Sequence, residues 1–258
     1  MRTFKLTLAY DGTDFGGFQR QSNARSVQQV LEEALAPIEG SDVTVAGAGR
    51  TDSGVHAIGQ VASFSLTNAI PADELHRALN GVLPEDVRVV GVDVVPMGFN
   101  AQFSARSKVY RYRIFNARVI SPFERHYALH IPRTLNFDAM KAAATDLIGA
   151  HDFATFQAAG GNVLTSVRTI TRSDWSDKPL EGGGRLLTYE IEGSGFLKYM
   201  VRNIIGTLIE VADGRRPAGS MHDLLSTRDR SLAGPTAPPH GLYLVRVDYD
   251  TAGPVSFS

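Results

Sequence analysis

The chain has 258 residues, 43% of them hydrophobic, and 26 Lys and Arg stand against 27 Asp and Glu for a formal charge of −1. That apolar share suffices for one large core or two modest ones and excludes a disordered chain. Cysteine is absent, which removes disulfides, thiolate nucleophiles and cysteine-ligated metal centres together. The residues from Met1 to Leu6 lack the apolar run of a signal peptide, and no stretch is long enough to span a bilayer. The expectation is a cytoplasmic protein without a membrane partner.

Phe4, Leu6, Leu8 and Tyr10 alternate with polar or small residues, which predicts a half-buried strand. Ser26-Val27-Gln28-Gln29 reads as a capping box, and Val27, Val30, Leu31 and Ala34 recur at helical spacing until Pro37. Strand-like runs follow at 43–47 and 57–66, then a helix with Pro71 in its first turn and Gly81 past its end, then a strand over 87–95. The second half repeats the order. A strand is predicted at 107–116, a helix at 136–149, strands at 165–175 and 185–192, a helix at 196–212 and a last strand at 241–249. Each half therefore reads as a βαββαβ unit, the split βαβ or ferredoxin-like motif. The two share topology without evident sequence identity. Their boundary is placed at 105/106, and the stretch 177–184 reads as a hairpin loop.

Near-neutral overall charge argues mildly against a nucleic-acid partner, but distribution matters more than the sum. Between Asp93 and Glu124 every charged residue is basic: Arg106, Lys108, Arg111, Arg113 and Arg118. That is a usable phosphate footprint, rich in arginine, which suits bidentate phosphate contacts and base stacking. Within it, Lys108, Tyr110 and Tyr112 alternate with Val109, Arg111, Arg113 and Phe115. Gly195 to Gly206 carries a broad apolar stripe through Leu197, Met200, Val201, Ile204 and Ile205, with Lys198 and Arg202 one turn apart. His126 and His130 have a spacing used by zinc helices, but no glutamate lies between them and the segment reads as extended, so no metal is expected. No Gly-Lys-Ser/Thr follows the glycines at 47 and 49, so nucleoside triphosphate binding is not expected.

The segment Gly47-Ala48-Gly49-Arg50-Thr51-Asp52-Ser53-Gly54-Val55-His56-Ala57 presents one carboxylate on a glycine-punctuated turn between two strand-like runs. Taken alone, such an aspartate is a turn residue that bonds its own backbone. The string from Gly49 to Ala57, however, resembles the catalytic signature of the TruA family of tRNA pseudouridine synthases, whose aspartate is the nucleophile. The resemblance extends to Tyr10–Gln21, with Phe18 where tryptophan is usual, to Tyr110-Arg111-Tyr112, and to Gly195-Phe196-Leu197 followed by Met200-Val201-Arg202. His151-Asp152-Phe153 matches a further family element, read as structural because no partner nucleophile is visible.

The resemblance implies an α+β fold in which two ferredoxin-like halves form an extended antiparallel sheet with helices on one face, the pseudouridine synthase fold. Residues 1–105 would carry the aspartate loop, and 106–258 the tyrosine strand and arginine helix. It implies isomerisation of uridine at positions 38, 39 and 40 of the tRNA anticodon stem-loop, without a cofactor, by a homodimer. Asp52 would attack the nucleoside, Tyr110 would contact the target uridine, and Arg50 would steady the space the base leaves. Arg202 would sit near Asp52 and keep it ionised. Arg106, Lys108, Arg111, Arg113 and Lys198 are candidate contacts to the RNA backbone. Two alternatives stand beside this: an RNA-binding module without chemistry on the same platform, and a nucleosidase, for which no second acid is placed by any motif.

Overall fold

A computed structural model of the chain describes residues 1–160 and 164–250. The first strand, β1 (Arg2–Tyr10), buries Phe4, Leu6, Leu8 and Tyr10 while Lys5 and Thr7 stay partly exposed, as its alternation requires. Helix α1 (Val27–Glu39) starts at Ser26, whose Oγ accepts the Gln29 N–H at 3.3 Å. Only that half of the capping box forms, because the Gln29 amide donates to Glu33 at 2.8 Å instead. The helix runs past Pro37, expected as its end, to Glu39. Proline removes one donor but its φ suits a helix, and Gly40 at φ 79° closes the turn by donating to the Ala36 carbonyl at 2.8 Å.

Next come β2 (Ala46–Gly47), β3 (His56–Leu66), α2 (Ala72–Val82) and β4 (Val87–Val95), with Gly81 inside the last turn of α2 rather than beyond it. The chain continues through β5 (Ala105–Asn116), β6 (Leu129–His130), α3 (Phe137–Thr145), β7 (Gly149–Asp152), β8 (Val167–Pro179), β9 (Arg185–Gly193), α4 (Met200–Ala212), α5 (Ser220–Thr227) and β10 (Leu242–Tyr249). Helix α3 stops at Thr145, short of the 136–149 expected, because 146 and 147 form a turn and Gly149 opens β7. The hairpin at 177–184 is tighter than expected. Strand pairing persists to Pro179 opposite Arg185, and Gly183 and Gly184, both at positive φ, make the reversal.

Helix α4 begins four residues later than the 196 expected. Tyr199 adopts the left-handed conformation at φ 61°, which interrupts the helical path before Met200.

The chain divides into two compact units. Of the described residues, the first holds Met1–Ser53, Ala57–Lys108 and 245–250; the second holds Gly54–His56 and those between Val109 and Leu244. In the first the strand order is β4-β1-β3, with β2 paired to β3, all antiparallel. Phe4 lies opposite Phe64 on one side and Val94 on the other, and α2 packs on β4 and on α1. In the second, which takes β5 from Val109 and β10 up to Leu244, the order is β10-β5-β9-β8-β7, β6 runs parallel to β5, and α3 packs on β8 and α4. Both are ferredoxin-like, so the α+β expectation holds; the second adds β6, β7 and α5 to the six-element pattern.

Candidate active site

In the first unit the turn between β2 and β3 is fitted closely to the segment after β1. Gly47 has no room for a side chain, because a Cβ there would come within 2.2 Å of the Phe18 ring. Gly17 adopts φ 112°, and a Cβ on it would lie 2.6 Å from the Thr51 carbonyl. Through this approach the Phe18 N–H donates to the Thr51 carbonyl at 3.1 Å, Gly17 forms an antiparallel bridge with Asp52, and the Ser53 hydroxyl donates to the Phe15 carbonyl at 3.2 Å. The Tyr10 hydroxyl lies 2.8 Å from Thr51 Oγ1, and the Gln60 amide donates to the Gly49 carbonyl at 2.8 Å. Tyr10–Gln21, conspicuous in the sequence but given no task there, therefore braces the aspartate turn. Burial pushes the Tyr10 phenol up to about 12 against the opposing hydrogen bonds from Thr51 and Gln60, so it stays protonated at neutral pH.

Asp52 itself is partly exposed and Arg50 is exposed. Lys108, half-buried on β5, belongs to the same region: its ammonium is 3.5 Å from where a Cβ on Gly49 would lie. Arg106, also in this unit, is held by Asp250, whose carboxylate raises the guanidinium pKa.

In the second unit Tyr110 is only 7% exposed and meets the Phe196 ring edge-on at 5.1 Å and 80°. Tyr112 is wholly buried, its hydroxyl donating to the Pro238 carbonyl at 2.8 Å, and burial raises its pKa far above the ordinary value. Arg202 donates from Nε to the Ala237 carbonyl at 2.7 Å, and its guanidinium lies 4.8 Å from the centre of the Tyr199 ring. The Ala237 loop is anchored on α4 by close backbone approach: a Cβ on Gly206 would fall 1.6 Å from the Pro235 carbonyl. Asn203 adds to the anchor, donating to the Phe156 carbonyl at 2.8 Å and accepting from Thr236 at 2.6 Å and Arg230 at 2.9 Å. Lys198 is exposed, donating to the Ala159 carbonyl at 3.4 Å.

Arg111 pairs with Glu190 at 2.6 Å and Arg113 with Glu124 at 2.9 Å. The uninterrupted positive charge of this sequence segment is thus offset in the fold by a distant carboxylate, Glu190, and by Glu124 at the segment's own edge. Among the signature residues, His56 is structural. Its Nε2 lies 3.0 Å from the His126 carbonyl and 3.2 Å from the His240 carbonyl, so that nitrogen carries the proton, and its ring stacks on Tyr243 at 4.8 Å. His151 likewise packs: its Nε2 bonds the Ile148 carbonyl at 2.9 Å and its ring meets Phe153 edge-on. Among the described residues no cluster of three or more His, Asp or Glu is arranged to hold a metal ion, and no helix is long and apolar enough to cross a membrane.

An acid on a braced turn suits covalent or acid–base chemistry, and comparison with known proteins narrows the class. The tRNA pseudouridine synthase family matches residues 7–104 and 143–250. The tRNA pseudouridine synthase A of Acetivibrio thermocellus is 44% identical over 249 residues, spanning 96% of this chain and 100% of that protein. Those of Thermoanaerobacter sp. and Streptococcus pneumoniae are 43% and 42% identical over 96% and 97% of this chain, each matched over 100% of its own length. These similarities make the protein an isomerase of the pseudouridine synthase class. It belongs to the TruA family of tRNA pseudouridine synthases.

Proposed function

We propose that the protein converts uridine to pseudouridine at positions 38, 39 and 40 of the tRNA anticodon stem-loop, with Asp52 as nucleophile. The observation that carries this reading is the Asp52 turn. Residues 49, 51 and 53 are each bonded into the first unit while the side chain of Asp52 stays partly exposed. Such a turn holds an attacking group in place before substrate arrives.

The reaction breaks the bond between N1 and C1′, turns the uracil and joins C5 to C1′. A proton leaves C5 and N1 gains one, so the change is redox-neutral and the chain needs no cofactor. The Asp52 carboxylate forms the covalent adduct, at C1′ or at C6 of the ring, and is released when the new bond is complete. The target base must first leave the stack, at a cost of about a few kcal/mol. Tyr110 supplies an aromatic surface for the extruded uracil, and exposed Arg50 steadies the vacated space. Arg202 holds the Asp52 carboxylate or the neighbouring phosphate. Arg106, Lys108, Arg111, Arg113 and Lys198 serve as backbone contacts. The aspartate half is 1–105, the tyrosine and arginine half 106–258. A homodimer in the cytoplasm completes the reading, the second subunit covering more of the tRNA.

The test maps pseudouridine in unmodified tRNA treated with wild-type protein and with Asp52→Asn. The variant is expected to bind tRNA and form no pseudouridine. Full activity in it would remove Asp52 from its role, and product elsewhere than 38–40 would correct the site.

A further inference from the structure

We infer that Tyr10, Thr51 and Gln60 act together as positioning residues for Asp52, a buried hydrogen-bonded chain that sets the direction of the carboxylate. The inference rests on the reading of Asp52 as the nucleophile. All three side chains are buried, at 5%, 5% and 0% exposure. Polar groups in such places are costly unless bonded, and apolar side chains would fill the same volume without that risk. Here each is bonded, and the bonds converge on the turn. The Gln60 amide donates to the Gly49 carbonyl at 2.8 Å and reaches the Tyr10 hydroxyl at 3.4 Å, which in turn lies 2.8 Å from Thr51 Oγ1. Gln60 Oε1 accepts the Val61 N–H at 3.1 Å, which fixes the amide's orientation.

Local geometry explains how the chain reaches residue 52. Thr51 is held at both ends, its hydroxyl by Tyr10 and its carbonyl by the Phe18 N–H, so the peptide that leads into Asp52 is fixed while Asp52 stays partly exposed. Register between β1 and β3 slips between Leu8 and Tyr10, and a bulge of this kind re-aims a side chain. The slip brings the last residue of β1 to the catalytic turn. Burial keeps the phenol protonated, so Tyr10 works as a fixed hydrogen-bonding post rather than as an acid or base.

The experiment measures single-turnover pseudouridine formation, tRNA affinity and thermal melting for Tyr10→Phe, Thr51→Val, the double variant, Thr51→Ser and Asp52→Asn. Rates are taken well below every melting temperature. Tyr10→Phe is expected to slow the chemical step by about tenfold to a hundredfold, the scale of a small misplacement of a reacting group, with tRNA affinity unchanged. The double variant should be no slower than the worse single one, because both break the same bond. Thr51→Ser, which keeps the hydroxyl, should lose less rate than Thr51→Val. A wild-type rate in Tyr10→Phe, or losses that simply multiply in the double variant, would overturn the inference while an inactive Asp52→Asn leaves the nucleophile standing. An active Asp52→Asn would instead sink the reading on which the inference rests.

Discussion

The two units hold their functional side chains by different means. The Asp52 turn is fixed through directional bonds at 49, 51 and 53 and through glycines that admit no side chain. Tyr110 is packed edge-on against Phe196, and Arg202 joins one hydrogen bond to the Ala237 carbonyl with a broad contact on the Tyr199 ring. A group that must form a covalent bond gains most from angular precision, which hydrogen bonds and backbone approach supply. On the proposed reading, Tyr110 and Arg202 receive a flat base and its phosphates, a task that gains from broad aromatic contact. The strain in the second unit lies in its backbone, where Tyr199 holds a left-handed conformation that costs about 1–2 kcal/mol.

The sharpest test of this contrast is Asp52→Asn, expected to lower pseudouridine formation by about a thousandfold or more with tRNA binding retained, as read in paired activity and binding assays. Next in size is the contrast between two glycines. Gly206→Ala places a methyl 1.6 Å from the Pro235 carbonyl, so the melting temperature should fall sharply, by about 3 kcal/mol of stability or more. Gly47→Ala meets the Phe18 ring instead, and should cost roughly 1–3 kcal/mol together with a loss of rate larger than its melting shift accounts for. Equal rate loss per degree of melting in both variants would erase the distinction between the units.

Arg202→Lys comes third. Lysine loses the planar Nε donation to Ala237 and the stacking on Tyr199, so activity should fall by about tenfold, the worth of one charge-assisted hydrogen bond. An unaltered kcat/KM would show that charge alone suffices there.

Alkaline pH tests the two interiors together. Burial raises Tyr10, Tyr112 and Tyr189 above the ordinary 10.0. A raised tyrosine stays neutral in the folded chain while its unfolded counterpart ionises, so this stability is fully present below pH 10 and is lost as pH climbs toward about 12, the Tyr10 value. Tyr10→Phe should flatten the decline in a pH series of denaturant melts. The smallest effects belong to single surface cations. Lys198→Ala should lower the slope of log affinity for tRNA against log salt by about one, whereas Arg106→Ala, already engaged by Asp250, should change it less.

Much of the architecture was legible because alternation and capping are local. β1, β4, β5 and β9 fall within a residue or two of where their patterns put them, and Ser26 caps α1 as its spacing requires. The misplaced ends share a cause. Helix α1 runs on past Pro37 to its close at Gly40, and α4 starts late because Tyr199 leaves the helical region; both depend on backbone geometry that residue type alone does not report. β7 went unread, since four residues gain strand character only from pairing with β8. At the site, the string around Asp52 was conspicuous, but Gln60 looked like one more residue of a strand, and Tyr10 like its neighbour's apolar counterpart.

From its own residues the chain declared two βαββαβ patterns, an absence of thiol chemistry and one aspartate set in glycine, since periodicity, composition and turn preference act over a few neighbours. The charge of the β5 segment shows what lay beyond it: a run of cations in sequence becomes a set of ion pairs once Glu190 and Asp250 arrive from far along the chain and Glu124, at the run's own edge, folds back on Arg113. The same holds for the bonds from Tyr10 and Gln60 to the turn. Hydrogen bonds and ion pairs form between groups that folding brings within about 3 Å of each other, and that proximity is decided by the tertiary structure.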